Sequence, residues 1–592
     1  MNHNLSNKQM FSSTSSRSLQ RASSTCAQCG RLRLQPDGNS RANLLTRSLS
    51  ASASPQQKGW PIEAQPKARS LPENLTAPFS LQPAVVDEAY KNAAKRRFPV
   101  KAEWRHTLER ARAELPALAE EVARLKKMLS KNPHNASSSD HAGEVQDRDS
   151  LKQILREATA EHDDLRSASL ELRLRFPNAT HVDVPIGPEM NAQVVGFGDP
   201  LDLLPRELKD ALKNPESLPC ALGTFPPSPP ADANKAHTKA AAQLTQHPLF
   251  PSSSALDQAS GALTTGASFP FLLGPLASLS HALSSYALQI CTRHGFMVVR
   301  TPDVIKADLA RRCGFMPRDE GEASQTYFVS AHRDGGSGSE GLHSPDLCLA
   351  GTAEIPLAGL CADRTFFLPS KKGNSGTVLP LKLCALGSAF RAEAGARGAD
   401  TKGLYRVHQF DKVEMFVVAP SKEVVVGAQD AVSVAKPAPF AAEDADMSYL
   451  EELRSIQEEI ITGLGLPFRI LDMPTEELGA SACRKYDIEA WMPGRGSWGE
   501  ISSASHCTTF QSRRLNIRYR RSPGSQSKLE YAHTLNATAA AMPRLIVALL
   551  ENFGVMRSDD GQVRLRLPCV LKPYWLGLDT DVQWVSDDKL QS

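Results

Sequence analysis

Two charged stretches, FRAEAG at residues 390–395 and HQFDKVEMF at residues 408–416, lie close together in the chain. Arg391 and Glu393 are separated by one residue, so in an extended strand their side chains would share one face. Two charges on the same face of a largely apolar strand are costly unless polar groups meet them. A structural salt bridge is the simpler explanation of a single pair of this kind. The alternative is that a polar ligand binds there.

Three further stretches concentrate charged and hydroxyl side chains: GTAEIP at 351–356, GEISSAS at 499–505 and HTLNAT at 533–538. The last leads into a helical pattern that carries Arg544 in its first half. Each stretch alone is compatible with a salt bridge or a helix cap. Their occurrence together in one region favours a binding site.

Length and composition define the class of protein only broadly. The chain has 592 residues, 41 % hydrophobic content and a net charge of +3, which predicts two to four domains and no strong polyanion preference. Its eleven scattered cysteines fit reduced thiols better than a disulfide framework, and the lone CAQC at 26–29 lacks a second ligand pair for zinc. Without an apolar run of about eighteen residues, no membrane association is expected.

The first 75 residues differ from the rest of the chain. Residues 1–70 carry ten lysines and arginines against Asp37 and Glu63, with many serines. This composition is typical of an organelle transit peptide, and it predicts the mitochondrial matrix. A disordered basic tail is the alternative, and a second, cytoplasmic location stays open.

Residues 76–185 predict a helical hairpin. Apolar residues alternate at steps of four and three from Trp104 to Leu129, and a weaker pattern runs from Leu151 to Leu172. Pro116 should kink or break the first helix. Basic residues are expected on the outer faces, where simple solvation is one explanation and RNA contact another: Lys91, Lys95, Arg96, Arg97, Lys101, Arg105, Arg124, Lys126, Lys127 and Lys131.

The remaining chain divides into a connector at 186–262, Pro-rich at 223–238, and a large mixed domain at 263–592. Segments 333–344 and 421–446 lack periodicity and are predicted to be loop insertions without an assigned role.

Taken in order, these motifs resemble the class II aminoacyl-tRNA synthetases, and in detail the seryl-tRNA synthetases, over about residues 85–577. FRAEAG…DTKGLYRVHQFDKVEMF is similar to motif 2, LNATAAAMPRLIVALLENF to motif 3, and HGFMVVRTPDVI, with Pro302, to motif 1. The resemblance implies an α+β fold, with an antiparallel sheet flanked by helices and an N-terminal helical-hairpin arm. It also implies a homodimer and the binding of ATP, Mg²⁺, L-serine and tRNA(Ser), the tRNA through the arm.

The family's residue roles carry over to matching positions of this chain. Arg391, Glu500 and Arg544 are the expected catalytic residues, and Glu500 and Ser503 the expected Mg²⁺ ligands. The expected serine-binding residues are Thr352, Ala353, Glu354, Glu414, Asn536 and Thr538. Thr538 is also a candidate helix cap, a role that is compatible with serine binding. The expected ATP-binding residues are Arg391, Ala392, Glu393, Val407, His408, Gln409, Phe410, Glu500, Ile501, Ser502, Ser503 and Arg544.

A few positions depart from the family pattern. Ala399 replaces an arginine before the motif 2 aspartate, which puts the contact with the tRNA acceptor end in doubt. His506 and Thr509 replace a common asparagine and a common acidic residue. Pro543 precedes Arg544 where glycine is usual, so a helix should begin close to it.

Two alternatives to an active synthetase remain. One is a synthetase-like binding module, and the other is a paralogue that loads an amino acid onto a carrier protein and lacks the hairpin.

Overall fold

The chain is described from a computed structural model, which covers residues 75–130, 141–213, 231–244, 254–315, 325–329, 346–369, 377–393, 403–421, 446–520 and 529–585. Apart from residue 75, the predicted transit segment and its CAQC stretch lie outside the described residues. Arg397, Ala399, the insertion at 333–344 and all but the ends of the insertion at 421–446 also lie outside them.

The predicted hairpin is present among the described residues. It consists of α2 (Glu103–Ser130) and α3 (His141–Arg175), preceded by α1 (Pro83–Lys95). The residues of both predicted apolar stripes are buried or half-buried: Trp104, Leu108, Ala111, Leu115, Leu118, Val122, Leu125 and Leu129 in α2, and Leu151, Leu155, Ala158, Leu165 and Leu172 in α3. The two helices pack together, and Arg110 Nη2 lies 3.7 Å from Glu161 Oε1 across the pair. The predicted break at Pro116 does not occur, because α2 continues through it.

The base of the arm corrects one predicted surface residue. Arg96, expected on the basic outer face, is only 1 % exposed. Its Nη1 donates to the carbonyl of Asn178 at 2.6 Å, and its Nη2 donates to the carbonyl of Gly479. A buried guanidinium needs such acceptors. Arg96 therefore connects the arm to the large mixed domain, and it is not available to an external partner.

An eight-stranded sheet forms the centre of the large mixed domain, in the order β1-β11-β12-β13-β16-β10-β9-β4. Every neighbouring pair is antiparallel except β4 and β9, which are parallel. β1, from the predicted connector, pairs with β11 at one edge. The strands are β1 (Gln193–Gly198), β4 (Met297–Val299), β9 (Leu381–Phe390), β10 (Gln409–Ala419), β11 (Phe468–Asp472), β12 (Arg484–Met492), β13 (Ser497–His506) and β16 (His533–Ala541).

Helices cover this sheet and bury its apolar side chains. The largest apolar core combines residues of α7, α10 and α12 with residues of the central strands. No helix among the described residues is long and apolar enough to cross a membrane. The remaining helices are α4 (Arg206–Lys213), α5 (His237–Gln243), α6 (Gln258–Thr264), α7 (Pro275–Arg293), α8 (Ala307–Arg312), α9 (Glu354–Cys361), α10 (Ser448–Gly463), α11 (Phe510–Leu515) and α12 (Met542–Phe553).

Four small sheets complete the described part, in the orders β15-β14-β8, β17-β18-β19, β2-β3 and β5-β7-β6. Their strands are β2 (Leu256–Asp257), β3 (Phe271–Leu272), β5 (Val304–Lys306), β6 (Phe328–Val329), β7 (Leu347–Leu349), β8 (Thr365–Phe367), β14 (Arg518–Arg520), β15 (Glu530–Tyr531), β17 (Val555–Arg557), β18 (Val563–Pro568) and β19 (Val582–Val585).

The expectation that Arg391 and Glu393 share a strand face is wrong. β9 ends at Phe390, and the backbone of Glu393 has φ 45°, in the left-handed region. A last ladder bond joins the amide of Arg391 to the carbonyl of His408 at 2.9 Å. The chain then turns away from the sheet, so the two charged side chains leave the backbone from different local conformations.

Candidate active site

A pocket lies where β10, β13 and β16 meet the start of α12. It is lined by Arg391, Glu393, Tyr405, Arg406, Val407, Phe410, Lys412, Glu500, Ile501, Ser502, Ser503, Thr538, Ala541, Pro543 and Arg544. Nine of the twelve residues predicted to bind ATP and one of the six predicted to bind serine are among them. The sheet thus brings together residues from three distant stretches of the chain, 391–412, 500–503 and 538–544.

Two arginines reach the pocket and each lies over an aromatic ring. The guanidinium carbon of Arg391 is 5.4 Å from the centroid of Phe410, and that of Arg544 is 4.9 Å from the centroid of Tyr405. Burial lowers the pKa of Arg391, and the neighbouring charge of Arg544 lowers it further. Two cations held this close favour an anionic ligand between them, because the ligand relieves their mutual repulsion.

Glu500 is the acidic partner of these arginines. Arg544 Nη1 donates to Glu500 Oε2 at 3.0 Å and to the Glu500 carbonyl at 2.8 Å. Burial alone would raise the pKa of Glu500, but the positive charges of Arg544 and Lys485 outweigh it and hold the pKa at about 2. The carboxylate is therefore ionised at neutral pH. With the hydroxyl of Ser503 it supplies hard oxygen donors, the type that Mg²⁺ prefers.

A buried ion pair adjoins the pocket, with Lys412 among the lining residues. Lys412 Nζ is 2.6 Å from Glu414 Oε2, and the two side chains are 8 % and 2 % exposed. The hydroxyl of Thr538 lies 3.4 Å from Lys412 Nζ and 3.5 Å from Glu414 Oε2. The three side chains form a small polar group that could recognise a ligand's hydroxyl and ammonium.

The predicted TAE loop lies beside this group, with Thr352, Ala353 and Glu354 all buried. Glu354 Oε1 accepts from Gln511 Nε2 at 2.6 Å and from Asn536 Nδ2 at 2.9 Å. Burial, reinforced by the charge of Glu414, raises the pKa of Glu354 to about 8. Asn536, predicted to bind serine, thus contacts Glu354 in this structure.

Three predicted ATP residues, Ala392, His408 and Gln409, do not line the pocket. The ring of His408 stacks on Phe269, with centroids 5.1 Å apart, and its Nδ1 lies 2.9 Å from the carbonyl of Arg391. The amide of Ala392 donates to the carbonyl of Gln325 at 3.0 Å. Ser502 lines the pocket, but its hydroxyl donates to the carbonyl of Thr538.

Tyr405 and Arg406 line the pocket and were not predicted. Tyr405 lies beneath the guanidinium of Arg544, and Arg406 Nε donates to Glu393 Oε2. Glu393 therefore already has a cationic partner. The signal was available, because both residues belong to the GLYRVHQF stretch that precedes β10.

The start of the motif 3 helix agrees with one prediction and corrects another. α12 begins at Met542, which places Pro543 in its first turn. Proline is tolerated there because its missing N–H would have no intrahelical partner. Thr538 lies inside β16, four residues before the helix, so it does not cap α12.

Comparison with known proteins identifies the class first. The family described as tRNA synthetase class II core domain (G, H, P, S and T) matches residues 343–553. That range includes the strands and the helix that build the pocket. The central antiparallel sheet with motif 2 on β9 and β10 and motif 3 on β16 and α12 is the core of a class II aminoacyl-tRNA synthetase.

The more specific relatives are serine–tRNA ligases. The mitochondrial enzyme of Saccharomyces cerevisiae is 41 % identical over 62 % of this chain and 73 % of its own length. The Rhodopirellula baltica enzyme is 34 % identical over 83 % of this chain and 95 % of its own. A seryl-tRNA synthetase from Pyrococcus horikoshii, solved with ATP, is 29 % identical with a TM-score of 0.56, covering 83 % of this chain and 91 % of that one. This chain belongs to the serine–tRNA ligase family.

Proposed function

We propose that the chain activates L-serine with ATP, giving seryl-adenylate and pyrophosphate, and then transfers the seryl group to the 3′ end of tRNA(Ser). The observation that carries the proposal is that two groups meet at one pocket, the arginines Arg391 and Arg544 and the Lys412–Glu414–Thr538 group. A triphosphate and a small hydroxylated amino acid match these two halves. Family membership, together with an ATP-bound relative, supports the same chemistry.

The first step requires charge stabilisation more than a protein nucleophile. Attack of the serine carboxylate on the α-phosphorus breaks the bond to pyrophosphate and places growing negative charge on phosphate oxygens. Arg391 would bind the carboxylate and the α-phosphate through its planar fork. Arg544, on the opposite wall, would hold the terminal phosphate. Adenine would lie on Phe410, with its amino group toward Glu393, and Arg406 would have to release part of its hold on that carboxylate.

Glu500 and Ser503 are the residues that would hold Mg²⁺. Among the described residues, no group of three or more His, Cys, Asp or Glu side chains is arranged to bind a metal. Two protein oxygens nevertheless suit Mg²⁺, which usually keeps several waters and binds substrate phosphates. When bound, the ion would neutralise phosphate charge. Arg544 positions the Glu500 carboxylate for this role, since it already donates to one of its oxygens.

Discrimination of serine from alanine would depend on the buried polar group. A pocket that is sized for a small side chain separates the two poorly, whereas buried groups that pair with a hydroxyl are left unpaired by alanine. Thr538 and Glu414 would receive the serine hydroxyl. Glu354, beside them, would favour the serine ammonium through its negative charge once it is ionised.

The hairpin α2–α3 would bind tRNA(Ser). Arg124, Lys126 and Lys127 are exposed near its end, and Arg124 pairs with Glu121. Exposed cations of this kind attract phosphate backbones in a salt-dependent manner. The presence of the hairpin also argues against the carrier-protein paralogue, for which no such arm was expected.

Assembly and location complete the proposal. β4 is an edge strand of the main sheet and exposes Met297 and Val298, 37 % and 52 % accessible, in the motif 1 region. A second copy covering this edge would make the homodimer that the resemblance implies.

The yeast relative is named as mitochondrial, which supports the matrix location. Light scattering and import into isolated mitochondria, with and without residues 1–75, test these two points.

The direct test of the complete reaction is charging. Purified protein with ATP, Mg²⁺ and labelled serine should charge tRNA(Ser) transcripts and leave tRNA(Ala) transcripts uncharged. Comparing mitochondrial and cytosolic tRNA pools then identifies the isoacceptors that are served. Failure to charge any tRNA(Ser) would contradict the proposal.

A further inference from the structure

His237 is a buried side chain outside the pocket, in a segment to which no role has been given. It begins α5 and is 6 % exposed. Its Nδ1 lies 2.8 Å from Glu551 Oε1, and its Nε2 lies 3.3 Å from the amide nitrogen of Leu404. A backbone N–H can only donate, so Nε2 is the acceptor. The ring proton is therefore on Nδ1 and is donated to Glu551.

Glu551 extends this contact to the motif 3 helix and to a neighbouring turn. It is 2 % exposed, and its Oε2 accepts from the amide of Arg495 at 3.1 Å. Glu551 follows Arg544 by seven residues in α12, about two helical turns, so both lie on nearly the same side of that helix. His237 and the pocket arginine Arg544 are thus connected through one rigid element.

Gly403, which follows the motif 2 loop, packs closely against the ring of His237. Gly403 has φ +100°, and a Cβ on it would lie 2.2 Å from His237 Nε2. Any other residue would be strained there and would collide with the ring. The close contact therefore fixes the position of the Gly403 backbone, one residue before Leu404.

Leu404 leads directly into Tyr405 and Arg406, two pocket residues that the sequence patterns did not predict. The guanidinium carbon of Arg495 lies 3.7 Å from the ring centroid of Tyr405, and the guanidinium carbon of Arg544 lies 4.9 Å from the same centroid. Arg406 holds Glu393. His237 therefore has two connections to Tyr405 and Arg406. The first is its hydrogen bond with the Leu404 amide, and the second runs through Glu551 to the backbone of Arg495.

We propose that His237 is a positioning residue for the ATP site. It does not line the pocket, and it acts by holding residues 403–406 where Tyr405 supports Arg544 and Arg406 meets Glu393. The proposal rests on the proposed function, since it assumes that this pocket binds ATP. Its consequence is selective: loss of the contact should weaken ATP binding and leave serine recognition, on the far side of the pocket, little changed.

The experiment compares three substitutions in the full chain. His237→Ala removes both contacts. His237→Gln places an amide near the position of Nε2, where its oxygen can accept from Leu404, and His237→Asn places an amide near Nδ1, where it can donate only to Glu551. Leu244→Ala is the matched control, because it removes a buried apolar side chain at the end of the same helix and leaves both side-chain hydrogen bonds of His237 in place.

Steady-state ATP–pyrophosphate exchange gives the KM values for ATP and for serine. His237→Ala should raise the KM for ATP about tenfold, the effect of losing a buried hydrogen bond, with less than about a twofold change for serine. His237→Gln should recover most of the loss, His237→Asn little of it, and Leu244→Ala should leave the KM for ATP unchanged. Equal changes in both KM values, equal effects of Leu244→Ala, or better recovery by asparagine would overturn the proposal.

Two further measurements keep the outcome decisive. If His237→Ala does not fold, the contrast between glutamine and asparagine decides alone, with circular dichroism showing that both are folded. If the unmodified chain shows no serine-dependent exchange, the proposed function fails, and the Kd for ATP from equilibrium dialysis of the same variants then tests the role of His237 independently. Equal Kd values would contradict it.

Discussion

Removing the charge of Lys412 should destabilise the chain, because it leaves Glu414 buried without its counter-ion. The pair is 2.6 Å apart and 8 % and 2 % exposed. At an effective dielectric constant of about 20, its direct attraction is about 6 kcal/mol, most of which offsets the cost of burying both charges. Loss of one partner leaves that cost uncompensated. Lys412→Met should therefore lower the free energy of unfolding by about 3–5 kcal/mol.

The assay is urea denaturation followed by tryptophan fluorescence, with two matched variants. Lys382→Met removes a lysine of β9 that pairs with Glu452 at 2.5 Å but is 19 % exposed beside a 33 % exposed partner. Solvent screens that pair, so its loss should cost about 1 kcal/mol or less. The double variant Lys412→Met, Glu414→Gln removes both charges and should recover most of the lost stability. It should nevertheless lack serine-dependent ATP–pyrophosphate exchange, because Glu414 is proposed to bind serine.

The reasoning would be refuted if Lys412→Met cost no more than Lys382→Met, or if the double variant were no more stable than the single one. Either result would mean that the buried carboxylate does not depend on the lysine. Retained serine activation in the double variant would separately contradict the role proposed for Glu414.

Three other changes test different parts of the site. Arg391→Ala should lower kcat for ATP–pyrophosphate exchange about a hundred- to a thousandfold by removing charge stabilisation, and near-normal exchange would disprove its assignment. The pKa of Glu354 is raised from 4.5 to about 8 in the folded chain. Between these two pH values the folded chain keeps a proton that the unfolded chain loses. The contribution of Glu354 to the free energy of unfolding therefore falls by up to about 5 kcal/mol as the pH rises from about 4.5 to 8. Glu354→Gln keeps the acceptor oxygen and should flatten that part of the pH dependence in urea denaturation, whereas parallel curves for variant and unmodified chain would contradict it. Deletion of 104–172 should leave serine activation intact and impair charging of tRNA(Ser), and undiminished charging would contradict the role of the arm.

The resemblance carried by the ordered motifs predicted the fold, and nine of the twelve residues that it assigns to ATP line one pocket. Arg391, Phe410 and Arg544 line one pocket, as the resemblance implied, and the strands β10 and β16 that lead to them pair with each other in the central sheet. The local geometry was less predictable. The left-handed backbone at Glu393 depends on how the chain leaves the sheet, which a residue pattern with period two does not encode.

Contacts between distant segments explain the other differences. Arg96 looked like a surface charge because its acceptors, the carbonyls of Asn178 and Gly479, are backbone groups without a sequence signature. His237 is 314 residues from Glu551 and 167 from Leu404, so no local pattern connects them. Tyr405 and Arg406 were visible in the sequence, but only the packing around Arg544 gives them a role.

Serine-dependent exchange of labelled pyrophosphate into ATP tests the central claim most directly. The purified chain should catalyse this exchange when serine is supplied and remain near background with alanine or without an amino acid. No exchange with serine, or equal exchange with alanine, would contradict the account.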